Sequence, residues 1–296
     1  QSDSWYTSGS RLFCTTKGIL VERAEDVFSF SHLTLQEYLT AQYIDDHRLV
    51  EQLVTAHLTD ERWKEVFLLV AGLMRGGVDD LLLRMEKKAQ KYINTPKLQA
   101  LLNWAEQATT GSAGDFKPVG KRAVAIANAI ANANTYAYSN AYSIAITMGK
   151  ANSIAKAYVI ANAFAIAKAY IIANAFAYTK AIANAIKNLR DLEELKIFNS
   201  VNFTTLIDQF EELKDNIFYE QQPLEVRQKF VQFLQQALIN AFKLNPDIIN
   251  FSQEEVKALE NYLYANHLII QCKQASVRVS PKTWEGIEAR MLLFHQ

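Results

Sequence analysis

Residues 123–186 constrain the fold of this chain more than any other part of it. The segment contains 23 alanines, each at an odd-numbered position, with four lysines, no arginine and no acidic residue. From Ala145 to Lys180 a six-residue phrase recurs, with clear copies at 157–162 and 169–174. Strict alternation in a six-residue repeat is typical of a β-solenoid, whereas alanine is the best helix former and is poor in strands. We favour helices and keep a β-solenoid as the alternative.

A helix built on this repeat has no continuous polar face. A six-residue step turns a residue by about 600°, so the lysines and asparagines point in three directions. Such a helix is expected to be buried, or to pack against copies of itself. The second expectation gives one hypothesis for function, a helical interaction scaffold that self-associates through the Ala-rich repeat.

The remaining composition favours a mainly helical protein. Ten glycines and five prolines among 296 residues are few for a β-sandwich or a doubly wound fold. The 31 basic and 31 acidic residues cancel, which argues against a general nucleic-acid or anionic-membrane binder. Only Cys14 and Cys272 are present, so we exclude a disulfide framework and expect a reduced, cytoplasmic setting. The first residue is Gln1 and no basic, apolar leader follows, so we expect a fragment or a trimmed product without a secretory signal.

The first 44 residues have a different character from the rest. Two short β-prone runs, 17–23 and 27–30, flank Ala24-Glu25-Asp26, which predicts a hairpin. Thr34 and Glu37 have the spacing of a capping box, which predicts that a helix begins there. A small hairpin flanked by helices is the layout of a winged helix, so residues 1–44 are predicted to be the C-terminal part of such a domain.

Helical periodicity dominates most of the remaining chain. Residues 45–110 are predicted to form a helical domain of stacked helices, the last opening after Pro96. The Gly- and Pro-containing stretch 111–122 is predicted to be a linker, followed by the low-complexity segment 123–188. Residues 189–296 are predicted to form a C-terminal helical domain. There, Ser252 and Glu255 make a second capping box, and Pro281 marks the start of the final helix.

The sequence carries little catalytic chemistry. The nearest approach to a phosphate-binding loop runs from Gly114 to Arg122, but its spacing is one residue too long and Pro118 removes a backbone amide. No Cys-x-x-Cys or His-Glu-x-x-His spacing occurs, so a zinc site has no local support. We therefore predict no catalytic residue and no metal site in this chain.

Several single residues have ordinary structural interpretations. His47 and His57 are predicted to lie on helix surfaces or ends, and Cys272 to be a packed thiol. Trp63 and Trp284 lie in apolar stripes and are predicted to be core residues. The apolar stretch 158–178 is long enough to span a membrane, but Lys168 near its centre costs about 3 kcal/mol to insert, so a buried helix is preferred.

Three stretches resemble the C-terminal part of NACHT-type STAND NTPases, the bacterial relatives of NOD-like receptors. Residues 28–41, Phe-Ser-Phe-Ser-His-Leu-Thr-Leu-Gln-Glu-Tyr-Leu-Thr-Ala, are similar to the end of the winged helix in that family. Residues 62–73 resemble the helical domain that follows it, and residues 262–292 resemble the C-terminal helical region of a bacterial subset. An Ala-rich middle between such flanks is also similar to that subset.

The resemblance implies a site and a set of partners. In the family a winged-helix His helps to bind the phosphates of ADP, and that role carries over to His32 only, in the full-length parent. The alternative is that His32 caps or buttresses the hairpin. Phe30 and Tyr38 are expected to pack the wing against its helix. The parent is expected to be an ATPase that binds ADP or ATP with Mg²⁺ through an upstream NACHT domain. This chain lacks the phosphate-binding loop, so it is expected to hold no cofactor of its own and to be no enzyme.

The resemblance also implies a function. The chain is expected to be a regulatory and sensing region that holds the nucleotide-bound resting state and couples sensing to oligomerisation. Its expected partners are the upstream NACHT domain, further copies of itself and a protein or peptide trigger, in defence or signalling, for example against phage. A third hypothesis, a membrane-acting effector working through residues 158–178, rests on that stretch alone.

Overall fold

The computed structural model describes residues 19–25, 27–130, 135–148, 176–215 and 224–294. Within these ranges the chain forms one β-hairpin, thirteen α-helices and a short 3-10 helix at Glu61–Trp63. The elements in chain order are β1 Leu20–Ala24, β2 Val27–Phe30, α1 Leu33–Asp46, α2 Val50–His57, α3 Lys64–Leu73, α4 Asp79–Gln90, α5 Pro96–Thr109, α6 Pro118–Ile130, α7 Thr135–Met148, α8 Phe176–Leu195, α9 Phe203–Asp215, α10 Leu224–Ala241, α11 Pro246–Ile249, α12 Gln253–Ala275 and α13 Pro281–Arg290. The predicted mainly helical fold with a winged-helix hairpin is confirmed.

The hairpin lies where the β-prone runs predicted it. Strands β1 and β2 are antiparallel, with Leu20 opposite Phe30 and Val21 opposite Ser29, and the register shifts between Glu22 and Ala24. The Ser31 amide donates to the carbonyl of Ile19 (2.8 Å), which keeps the chain extended to the end of the hairpin. The exit from β2 therefore fixes where the first helix can start.

The chain divides into two compact units. The first contains residues up to Met85 together with Gln271–Pro281, and the second contains Glu86–Ile270 together with Lys282–Gln296. Helices α4 and α12 each contribute residues to both units. The finer division at residues 44, 110, 122 and 188 stays a prediction.

The first unit is organised around α1 and α3. Ala41 and Ile44 of α1 are buried, as are Val66, Phe67 and Val70 of α3, at the spacing of one helical face. In the same unit, the backbone amide of Val78 donates to the carbonyl of Arg278 (3.1 Å), and the Ser280 amide donates to the Asp79 carboxylate (3.2 Å). Residues close to the end of the chain thus complete a unit that begins with the wing.

The second unit stacks helices in series. Helix α5 begins at Pro96, where the predicted start is confirmed, and the Thr95 hydroxyl caps it by accepting from the Leu98 amide (3.3 Å). Its buried face packs against α6, and α6 packs against α7. Helix α6 begins at Pro118, inside the stretch expected to be a linker, so residues 118–122 are helical rather than loop.

The Ala-rich segment is helical wherever it is described. Helices α6, α7 and α8 cover 123–130, 135–148 and 176–186. From Val119 to Ile130, α6 is buried at nearly every position, as expected for a helix without a polar face. The hexad copies at 157–162 and 169–174 lie outside the described residues, as does most of the apolar stretch 158–178. In the ranges that the structure covers, no helix combines the length and the hydropathy needed to cross a membrane.

The capping box at the start of α12 is confirmed in both directions. The Ser252 amide donates to the Glu255 carboxylate (2.9 Å), and the Glu255 amide donates to the Ser252 hydroxyl (3.2 Å). The Glu255 carboxylate also accepts from the Thr95 hydroxyl (3.0 Å), which ties α12 to the start of α5. The hydrogen bond from the Ser252 amide is the main reason that the pKa of Glu255 lies below its ordinary value of 4.5.

We predict that Glu255→Gln lowers the free energy of unfolding by an amount that depends on pH. Because the folded pKa is lowered, the carboxylate stabilises the fold above its ordinary pKa, and that contribution is lost as the pH falls through the folded value. Glutamine keeps an acceptor for the capping box, so the loss at neutral pH should be about 1 kcal/mol. Urea denaturation at about pH 7 and about pH 3 measures the difference, which should shrink towards zero in acid. The exposed neighbour Glu254→Gln is the control, and an unchanged difference between the two pH values would contradict the prediction.

Candidate functional site

His32 lies at the junction between the hairpin and α1. Its backbone is extended (φ −133°, ψ 133°), and it is the N-cap of a helix that starts at Leu33. No side chain caps this helix end, and its first turn holds no acidic residue. The exposed imidazole of His32 therefore lies beside backbone amides that point out of the helix N-terminus, an arrangement that favours an anion.

The predicted capping box at Thr34 and Glu37 is wrong. The helix begins one residue earlier than Thr34, which lies inside the first turn, and the N-cap residue is His32. The hairpin ends directly before this cap, with the hydrogen bond from the Ser31 amide to the Ile19 carbonyl (2.8 Å). A tertiary contact thus overrides a local sequence signal.

The wing exposes several large apolar side chains. Among the residues described, six large hydrophobic side chains on the hairpin and α1 are exposed: Val21, Val27, Leu33, Tyr38, Leu39 and Tyr43. Leu33, next to His32, is 68% exposed, and Leu39 and Tyr43 lie one turn apart on one side of α1. We call Val27, Leu33, Leu39 and Tyr43 the wing surface; an exposed apolar group of this kind is typical of a contact with another domain.

The expected packing of the wing is only partly present. Phe30 is half-buried, but Tyr38 is exposed, so its predicted contact with the hairpin is wrong. Ala41 and Ile44 take the buried positions of α1 because they lie on the face towards α3, while Tyr38 lies about 60° to 120° away around the helix. Tyr38 instead contributes to a neighbouring cleft.

That cleft lies between the C-terminal half of α1, α2, the loop after α3 and the start of α4. Its volume is about 860 Å³, and its lining is largely polar and of mixed charge. Arg84 bridges Asp80 (2.8 Å) and Glu51 (3.0 Å), so α2 and α4 are joined across it. The cleft brings together ion pairs, with no nucleophile beside a base, and we assign it a structural role.

The remaining singled-out residues have structural positions of their own. His47 is the C-cap of α1 and His57 ends α2, as predicted. Trp63, expected in the core, is only half-buried and stacks on the His57 ring (3.7 Å between ring centroids). Trp284 is likewise only half-buried, whereas Cys272 is a packed thiol, and burial raises its pKa. Among the described residues no group of three or more His, Cys, Asp or Glu side chains could hold a metal ion.

The stretch from Gly114 to Arg122, the nearest approach to a phosphate-binding loop, makes hydrogen bonds within the fold. The Gly114 amide donates to the carbonyl of Lys196 (2.8 Å), and the buried Arg122 guanidinium donates to the carbonyl of Met291 (2.8 Å). Sequence reasoning missed this role of Arg122. An arginine that directly precedes the apolar run 123–127 was the available signal, because a charge buried with that run needs partners.

Two known protein families match parts of this chain. The family described as winged helix-turn-helix domain C-terminal to NACHT matches residues 11–44, which include the hairpin, His32 and most of α1. The family described as NACHT C-terminal helical domain 2 matches residues 201–294, which include α9 to α13. The chain carries the C-terminal region of a NACHT protein. Both matches are to domains without catalytic function. No curated protein and no solved structure matches the chain.

Proposed function

We propose that this region regulates its NACHT protein by holding a nucleotide-bound resting state and by sensing a trigger. One observation carries the proposal: His32 is exposed at an uncapped helix N-terminus inside the residues matched by the winged-helix family. The imidazole and the nearby backbone amides can donate hydrogen bonds to a phosphate, and the helix dipole favours its charge. The nucleotide would be ADP, exchanged for ATP with Mg²⁺, held mainly by the upstream NACHT domain.

The wing surface supports a contact with that upstream domain. Val27, Leu33, Leu39 and Tyr43 are exposed. They lie on β2 and α1, the two elements that His32 joins. Burying a large apolar side chain stabilises a contact by about 1.5–3 kcal/mol. A NACHT domain that covers the wing surface would therefore bring the bound nucleotide and His32 together and stabilise a closed arrangement.

Sensing would act on the same equilibrium. A trigger that binds the open arrangement more tightly than the closed one shifts the population towards the open form. Release of the wing would then expose surfaces for homo-oligomerisation and signalling, in defence or a related response. The scaffold alternative, self-association through the Ala-rich repeat, stays a prediction, because the hexad copies at 157–162 and 169–174 lie outside the described residues.

The test is nucleotide retention by the full-length protein. We expect His32→Ala to speed ADP release about tenfold, the effect of losing one charge-assisted hydrogen bond. His57→Ala, at the end of α2 where the ring stacks on Trp63, is the matched control and should behave as the wild type. ADP that co-purifies is quantified by chromatography, and its release is followed with a fluorescent analogue. Equal release from His32→Ala and wild type would overturn the assigned role.

A further inference from the structure

A groove runs between α9 and α10 in the second unit. The first half of α9 lies beside the last half of α10, and the groove between them has a volume of about 550 Å³. This volume is in the range of ligand-binding clefts. All of its lining residues except Ser200 lie within residues 201–294, the range matched by the helical family, far along the chain from the wing.

Helical spacing explains why a groove exists there. Phe233, Ala237 and Ala241 recur at four-residue intervals and share one face of α10. Two alanines on this face leave room where larger side chains would meet α9. Leu206 of α9, almost fully buried, contributes to the floor. The small residues create the space, and the rim gives it a chemical character.

The rim is rich in side-chain amides. Gln209 of α9 and Gln236 and Asn240 of α10 line the groove and are exposed. Gln236 donates to Asn240 (2.9 Å), so the two amides on α10 form a short ladder. A primary amide offers a donor and an acceptor side by side, which matches the alternating N–H and C=O groups of an extended peptide backbone. The rim is thus suited to main-chain recognition.

Phe233 adds an apolar anchor at one end of the groove. Its side chain is 55% exposed, although it lines the groove together with residues of α9. Exposed aromatic residues beside a pocket are typical binding anchors because a partner side chain can cover them. At the other end lies Lys243, the one charged side chain among the described lining residues. An occupant is therefore expected to be neutral or acidic and to carry an apolar side chain for Phe233.

The base of the groove is held firmly. The ring of Phe242, which follows α10, makes edge contacts with Phe198 (4.9 Å) and Phe203 (6.1 Å). The Trp104 indole donates to the carbonyl of Phe242 (3.0 Å), which ties α10 to α5. These contacts pack the residue that follows α10 against the start of α9 and against α5.

We propose that this groove binds an extended, neutral or acidic peptide segment, and that such a segment is the trigger which the region senses. The proposal deepens the sensing role proposed above and rests on it for its biological meaning. The helical part of the lining, from Phe233 to Ala241, spans about 12 Å, which accommodates about four residues of extended chain. Backbone amides would pair with Gln209, Gln236 and Asn240, and an apolar side chain would cover Phe233.

Selection of peptides on the full 296-residue chain tests the proposal. A phage-displayed library of random nonapeptides is selected on the wild type, and the enriched peptides are synthesised with a fluorescent label. We expect sequences with an acidic residue and an apolar residue a few positions apart. Ala237→Trp, which fills the groove, should abolish binding. Phe233→Ala and Asn240→Ala, which truncate exposed side chains, should each weaken it about tenfold.

The controls separate groove binding from other effects. Gln232→Ala, an exposed residue of α10 outside the groove, should bind as the wild type does, and circular dichroism confirms that every variant is folded. N-methylation of the peptide backbone should also weaken binding about tenfold, since it removes main-chain donors. Failure to enrich any peptide, or equal binding by Phe233→Ala, Asn240→Ala and wild type, would overturn the proposal. Either result leaves the ADP-release experiment unaffected, so the two proposals fail separately.

Discussion

Arg122→Met is expected to destabilise the second unit by about 3–5 kcal/mol. Arg122 is 2% exposed, and its guanidinium donates to the carbonyls of Met291 (2.8 Å) and Ala289 (3.2 Å) and to the Glu106 carboxylate (3.0 Å). Those carbonyls lie at the C-terminal end of α13, where helix acceptors have no partner within the helix. Methionine keeps the length and the apolar stem of arginine but removes every donor, so buried acceptors lose their partners.

The stability loss is measured by urea denaturation monitored by circular dichroism. Lys117→Met is the matched control, because Lys117 also reaches the end of α13, where it pairs with Glu288 (2.7 Å). The Lys117 side chain is more than half exposed, so its removal should cost less than about 1 kcal/mol. Similar losses in the two variants would show that the buried contacts of Arg122 stabilise the fold no more than the exposed ion pair of Lys117 does.

Gly114→Ala is expected to destabilise the same unit by about 2–3 kcal/mol. The Gly114 amide donates to the carbonyl of Lys196 (2.8 Å), so the loop after α5 lies directly on the end of α8. A methyl group at this position would lie 2.8 Å from the Lys196 carbonyl oxygen and closer still to that of Leu195. Both obstacles are backbone atoms, which cannot rotate away as a side chain could.

Gly76→Ala provides a control with the same chemical change. A methyl group there meets nothing within 4 Å, so its effect on the free energy of unfolding should stay within about 0.5 kcal/mol. Thermal and urea denaturation of the two variants are compared with the wild type. Wild-type stability of Gly114→Ala would mean that the loop can move off α8 without cost.

The elements of this fold were predictable wherever a signal is local. Proline at positions 96 and 281 marks helix starts that the structure confirms, because proline lacks the amide that a first turn leaves unpaired. The Ser252–Glu255 capping box is present for a similar reason, since its two hydrogen bonds link residues three apart. The hairpin was predictable from two β-prone runs and the short turn between them.

The same local reasoning failed where a distant residue decides the outcome. Thr34 and Glu37 have the spacing of a cap, yet His32 takes that position because the hairpin is closed by a bond to Ile19. Tyr38 was expected to pack against the wing, but the rotation of α1 is set by its contact with α3, which buries Ala41 and Ile44. The choice of buried face depends on a partner that the local pattern does not contain.

The candidate sites divide in the same way. His32 could be named from its sequence neighbourhood and its resemblance to a family, and the structure adds that it is exposed at an uncapped helix end. The groove between α9 and α10 could not be predicted from the sequence, because Gln209 and Asn240 lie on separate helices and only their packing brings them together. Gln236 and Asn240 are four residues apart on α10, and this helical spacing is the one signal that the sequence could have offered.

The sequence by itself determined that this chain is mainly helical, that a hairpin precedes its first helix, and that its Ala-rich helices have no polar face. These properties follow from residue preferences and from periods of a few residues, which act within a single turn or strand. Tertiary structure alone decided which cation is buried, which apolar residues form the wing surface, and where α9 and α10 leave a groove. Those outcomes depend on contacts between residues far apart in the chain, such as Arg122 and Met291, which are 169 positions apart, and no local pattern specifies them.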